Sequence, residues 1–243
     1  MASDRMIAIL ALLRGGGALD RGVGGPTEAG AVAAAAALGV DGISAGVGTG
    51  PEGVVLSWGQ EEVSVELEGL EFTLGQGPGL EAVAAGVPVL VPDLLDAAAR
   101  WPAFAPAAAE LKVRAVFAFP LRIGAISVGA LIAHRAEPGP LADDQLADAL
   151  ILAGAVTMFL LHRQTAGPRP AGTPARPLQP DWEQPETYRA EVHQATGMIS
   201  VQLGVSLAEA LARLRAHAYG NDRPIAQVAT DVVARRLRFD TPT

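Results

Sequence analysis

The stretch GPRPAGTPARPLQPDWEQP, Gly167–Pro185, decides how this chain is organised. Its prolines, at 168, 170, 174, 177, 180 and 185, each remove a backbone donor and fix φ, so neither helix nor sheet is expected there. An extended, polyproline-like tether is the predicted form. Residues 166–185 then read as a linker between a domain over 1–165 and a smaller one over 186–243, both of ordinary domain size.

Upstream of the tether, helix and strand signals alternate. Thr27–Leu38 is an Ala-rich helix with Thr27 as its N-cap, and Met6–Leu13 is helical by its apolar spacing. Strands are predicted at Gly42–Val47, Gly53–Trp58, Val113–Leu121 and Ala125–His134, and Val87–Val91 is an apolar run. Val63, Val65 and Leu67 alternate with Ser64 and Glu66, which predicts a further edge strand. The run Leu74-Gly-Gln-Gly-Pro-Gly-Leu80 reads as a tight turn into a short helix. Asp93–Ala99 and Phe104–Leu111 are helical, and Asp143–Arg163 is a long closing helix. The expected fold class is α+β, an antiparallel sheet with helices gathered on one side.

Downstream, three helices are predicted. The first starts near Glu186, with Tyr188, Val192, Ala195, Ile199 and Leu203 on one face and Gly204 as its stop. Ser206-Leu-Ala-Glu209 is a capping box for the second, which buries Leu207, Ala210, Leu211, Leu214 and Ala218. Pro224 suits the start of the third, whose core face is Ile225, Val228, Ala229, Val232 and Val233. Ala195, Gly197 and Ala229 read as small residues that permit close helix packing.

Composition narrows the chemistry. The chain has no cysteine, which excludes disulfides, thiolate nucleophiles and Cys-based metal sites. His134, His162, His193 and His217 lack metal-ligand spacing, so neither metal nor other cofactor is expected. The Gly75–Gly79 run is no phosphate loop, because Pro78 removes an amide donor and no Gly-Lys-Ser/Thr follows. Glu61, Glu62, Glu66, Glu68 and Glu71 read as a solvated acidic face, and no catalytic constellation emerges. Leu150–Leu161 is too short to span a bilayer, and a cytoplasmic, non-membrane protein is expected.

Net charge is −8, but it is unevenly spread. Residues 1–165 hold 9 basic against 18 acidic side chains, whereas Val205–Arg238 holds six arginines against three acids. Positive charge gathers at the C-terminal end, where contact with phosphate is expected.

The run His193-Gln-Ala-Thr-Gly-Met-Ile199 is followed by Leu203-Gly-Val-Ser206, Glu209-Ala210, Leu214-Arg215, Ala218, Asn221, Arg223 and Val228-Ala229. Together these resemble the ANTAR domain, a bacterial RNA-binding antiterminator module. Leu74–Gly79, Ala85–Asp93, Arg100–Phe104 and Val116–Ala133 resemble a GAF domain, and the pairing is typical of actinobacterial regulators. The resemblance implies a regulator that is not an enzyme, and binding to RNA with two stem-loops in a transcript leader. Candidate contacts are Arg213, Arg215, Arg223, Arg235, Arg236 and Arg238 as guanidinium forks, His217 and Tyr219 as planar groups, and Asn221. Arg235 and Arg238 are expected to share a helix face with Gln227 and Asp231. Val89, Val91, Trp101, Phe104 and Phe117 are the candidate lining of a ligand pocket in the first domain. Leu146–Leu161, joined by Met6–Leu13, is the expected surface of a homodimer.

Two other readings compete. Three short helices with surface arginines also suit a DNA-binding helix-turn-helix factor. The second rival is a small-molecule-binding enzyme of the N-terminal fold, as in oxidoreductases that use a thiol, and the absence of cysteine counts heavily against it.

Overall fold

The computed structural model describes residues 28–48, 55–59, 61–165, 183–221 and 223–240. They form two compact units, each described by itself. The helix read at Met6–Leu13, the Thr27 cap and residues 166–182 of the tether lie outside the described residues, while 183–185, expected to be non-helical, open a helix.

The first unit opens with α1 (Glu28–Leu38), whose buried Gly30, Ala31, Ala34, Ala35 and Leu38 recur at helical spacing. Strands β1 (Gly42–Val47), β2 (Val55–Trp58), β3 (Val89–Val91), β4 (Ala115–Ile123) and β5 (Ile126–Arg135) form one sheet in the order β2-β1-β5-β4-β3. Every pairing is antiparallel. Helices α2 (Glu62–Leu74), α3 (Pro78–Ala85), α4 (Phe104–Glu110) and α5 (Asp143–Thr165) complete the unit.

Both faces of the sheet are covered, which corrects the expectation of helices on one side. Phe117, Phe119, Leu121, Leu131 and Ala133 pack with Ala31, Ala34 and Leu38 of α1 and Leu152 and Val156 of α5. The alternate residues Val116, Ala118 and Ile132 are also buried, and α3 packs on their face, with Gly79 against the Ile132 side chain. The cause is legible in β4 and β5. Their apolar runs do not alternate with polar residues, as strands buried on both faces require.

The second difference is α2, which occupies the segment read as an edge strand. Its buried positions, Ser64, Leu67, Glu68, Glu71 and Phe72, follow the i, i+3, i+4, i+7, i+8 stripe of a helix. Three of these five are polar, so hydropathy hid the period. Asp93–Ala99 likewise forms successive turns rather than a helix, Ala97 N–H donating to Leu94 O at 3.1 Å and Arg100 N–H to Ala97 O at 2.9 Å.

The acidic face is not solvated as a whole. Glu61 stands just before α2 and accepts from the Val63 and Ser64 amides at 3.0 and 2.6 Å. The same carboxylate meets His134 Nε2 of β5 at 2.8 Å. At the other end of α2, Glu71 is buried and caps the next helix. Gly79 N–H donates to its Oε1 at 2.7 Å, and the Leu80 amide bonds it too. Gly77, at φ 149°, makes that approach possible, since a Cβ there would stand 2.5 Å from Glu71 Cγ.

Candidate nucleic-acid interface

The second unit is a three-helix assembly: α6 (Glu183–Leu203), α7 (Leu207–Gly220) and α8 (Ile225–Val233). Helix α6 starts three residues before Glu186, with Pro185 in the first turn, where a missing N–H leaves no helical bond unmade. Val192, Ala195 and Ile199 of α6, Ala210, Leu211, Leu214 and Ala218 of α7, and Ile225, Val228, Ala229 and Val232 of α8 are buried. Leu207, expected in this core, is exposed, because it is the first residue of α7 and faces outward beside the cap.

Local contacts fix the joins. Ser206 Oγ accepts from Glu209 N–H at 3.2 Å, the first half of a capping box. The Glu209 carboxylate turns instead to Arg213, 2.8 Å away one turn on. Asn221 Nδ2 donates to His217 O at 2.7 Å and closes the C-terminus of α7. Thr230 Oγ1 donates to Glu191 Oε2 at 2.5 Å, tying α8 to α6. Asp231 accepts from Arg223 at 2.6 Å and from Arg236 at 2.8 Å, joining the residue before α8 to the residues after it. Those two guanidinium bonds, Arg223 first, hold the Asp231 carboxyl below its ordinary range.

The nominated contacts therefore divide. Arg213, Arg223 and Arg236 are ion-paired within the domain. Asn221 is a helix cap, and His217 is half-buried with its ring 5.3 Å from Phe239 in an edge contact. Arg215 is half-buried on α7, and Tyr219 is 72% exposed near its end. Arg235 and Arg238 are exposed, but they do not share the α8 face with Gln227 and Asp231. The helix ends at Val233, and Arg235 turns the chain at φ 59°.

This turn brings Arg235 and Arg238 beside α6. With Gln194, Gly197, Met198, Val201 and Gln202 they line an open groove of about 680 Å³. Its floor is one stripe of α6 with helical spacing. The expectation that Gly197 permits close helix packing is corrected, since no heavy atom beyond its own stretch of helix backbone lies within 4 Å of where its Cβ would be. Ala195 and Ala229 are fully buried, as that role requires. The only signal in the sequence for this groove was a glycine in mid-helix, a costly choice there.

In the first unit the candidate pocket residues are all buried. Trp101 and Phe104 touch edge to face at 6.4 Å. Val89 and Val91 pair with Ala118 and Val116, so they share that face of the sheet, while Phe117 packs on the other face among the α1 and α5 residues. The five do not line one cavity. A separate shallow cavity of about 260 Å³ involves Phe119, Arg122, Leu150, Gly154 and Thr157. Among the described residues no group of His, Asp and Glu is placed to hold a metal ion, and no single helix is long and apolar enough to cross a membrane.

Residues 186–233 match the family model of the ANTAR domain. Compared by fold, the chain is similar to the GAF domain of a phosphoenolpyruvate-protein phosphotransferase from Coxiella burnetii, at 19% identity and a TM-score of 0.50, over 68% of this chain and 99% of that one. A second GAF domain, from an Acinetobacter phosphoenolpyruvate-protein phosphotransferase, gives 14% identity and a TM-score of 0.48 over 68% and 96%. The free methionine-R-sulfoxide reductase of Neisseria meningitidis, solved with its substrate, gives 20% and 0.44 over 68% and 96%. Against curated protein sequences the chain has no significant match. The first unit has the GAF fold. Followed by an ANTAR domain, it gives the chain a GAF–ANTAR architecture.

Proposed function

We propose that this chain is an RNA-binding transcription antitermination regulator of the cytoplasm. Its C-terminal domain binds paired stem-loops in a transcript leader and thereby keeps the terminator hairpin from forming. The ANTAR match over 186–233 carries this reading. The concentration of arginine in Val205–Arg238 supports it, because loops offer phosphates and unstacked bases to guanidinium forks. The GAF-like domain supplies signal input, dimerisation or both, and the boundaries are 1–165, 166–185 and 186–243. Catalysis is not part of the reading. One fold-similar structure is a reductase, but thiol chemistry has no residue to use here, as the chain lacks cysteine.

One observation favours a second reading. Helices α6 and α7 meet at 106° across a three-residue turn, the geometry of a DNA-binding helix-turn-helix. Against it, α7 would present Leu207, Ala208 and Glu209 to the base edges, which offer no side-chain donor. A gel-shift titration at one salt concentration separates the two. The probes are an RNA with two short stem-loops, selected from a pool of randomised loops, its one-loop half, and duplex DNA of the same sequence. Binding to the two-loop RNA at least about tenfold tighter than to either other probe is expected. Preference for the duplex would establish the helix-turn-helix reading in its place.

A further inference from the structure

We propose that the groove between the exposed stripe of α6 and the Arg235–Arg238 tail receives the unstacked nucleotides of an RNA loop, with Gly197 as its floor. This rests on the RNA-binding reading above and names the site within it.

Gly197 is the first observation. Glycine inside a helix is destabilising relative to alanine. No atom of the protein crowds this position, and its φ is not in the left-handed region, so neither packing nor backbone conformation calls for glycine. What the missing side chain does provide is access to the helix backbone from solvent. Around it stand Gln194 one turn earlier and Val201 one turn later, and Val201 is 85% exposed. Met198 and Val201 give apolar surface for a base to lie on, and the Gln194 amide offers a donor and an acceptor to a base edge.

Charge is the second. Arg235 and Arg238 form no ion pair among the described residues, unlike Arg213, Arg223 and Arg236. They are held in place nonetheless. Phe239 N–H donates to Gln202 Oε1 at 3.0 Å, and the Phe239 ring rests on His217, which anchors the tail to α6 and α7. Arg235 itself sits at φ 59°, a left-handed conformation that is strained for a non-glycine residue. Two guanidinium groups carried on an anchored tail beside an uncrowded helix face suit a phosphodiester whose bases are splayed out. A regular A-form duplex, with its bases stacked inward, would leave that floor empty.

The test uses the full chain and the selected two-loop RNA at several salt concentrations. Gly197→Leu fills the floor and should weaken binding at least tenfold without lowering Tm. Arg238→Ala and Arg235→Gly should each weaken binding several-fold and each reduce the log–log salt slope by about 0.7, one phosphate contact. If wild type binds the RNA while Gly197→Leu and Arg238→Ala both stay within twofold of it, the groove assignment is overturned and the RNA reading stands. If wild type binds no member of the pool, both fall. Arg238→Ala alters an exposed side chain only, so it decides the matter even where Gly197→Leu misfolds.

Discussion

Glu71 and Glu61 sit at opposite ends of α2, and each caps a helix start, yet their titrations run in opposite directions. Burial pushes the Glu71 carboxyl from 4.5 up to about 7, outweighing its bonds from the Gly79 and Leu80 amides. The folded protein therefore holds that proton more tightly than the unfolded chain does. Stability tied to it is complete below pH 4.5 and is lost as pH rises towards 7, on the order of 3 kcal/mol in all. Glu61 is less buried. Desolvation raises its pKa, but bonds from Ser64 and His134 outweigh it and leave the group below 4.5, so its contribution disappears as pH falls below that value. Glu71→Gln should flatten the decline of Tm between about pH 5 and pH 8. An unchanged slope in that variant, read by differential scanning calorimetry on the full chain, would show that Glu71 titrates normally. Glu61→Gln should leave this slope in place.

Elements differ in how far their sequence announces them. Helix α1 and strand β1 could be read directly, because one repeats apolar residues at helical spacing and the other is short and bounded by glycine. Helix α2 could not, since its buried stripe includes the polar Ser64, Glu68 and Glu71, and Glu71 is buried because it caps the start of the next helix through the Gly79 amide. The groove was hidden for a similar reason. It arises only where the chain after α8 folds back onto α6, and Asp231 takes Arg223 and Arg236 while Arg235 and Arg238 form no ion pair among the described residues. The α7 capping box was legible but only half realised, and this has a measurable consequence. Ser206→Ala removes the bond to the Glu209 amide and should cost about 1 kcal/mol of domain stability. Glu209→Gln should cost under half as much, because its carboxylate serves an exposed pair with Arg213 instead of the cap. Urea denaturation of the two variants checks the ranking, and equal costs would restore the reciprocal box.

At the scale of the whole molecule, the proposed RNA-binding function makes affinity for a two-loop RNA depend on how many C-terminal domains one particle carries. Helix α5 buries Ala149, Leu152, Ala153 and Val156 against the sheet, yet its outer side exposes Leu150, Ile151 and Met158 with Ala147 and Gly154 between them. Leu150 is 48% and Met158 58% exposed. An apolar stripe of this kind on a helix suits a second copy of the chain, and the small residues allow close approach. Two linked domains engage a pair of loops with an effective concentration that raises avidity by about 10²–10⁴ over one domain. Introducing Leu150→Glu together with Met158→Glu should yield a folded monomer by light scattering, since both side chains already face solvent. That monomer should bind the one-loop RNA as wild type does and lose at least about tenfold on the two-loop RNA. A wild-type chain that is itself monomeric, or a monomeric variant that keeps its two-loop preference, would mean that pairing of loops is read within a single C-terminal domain.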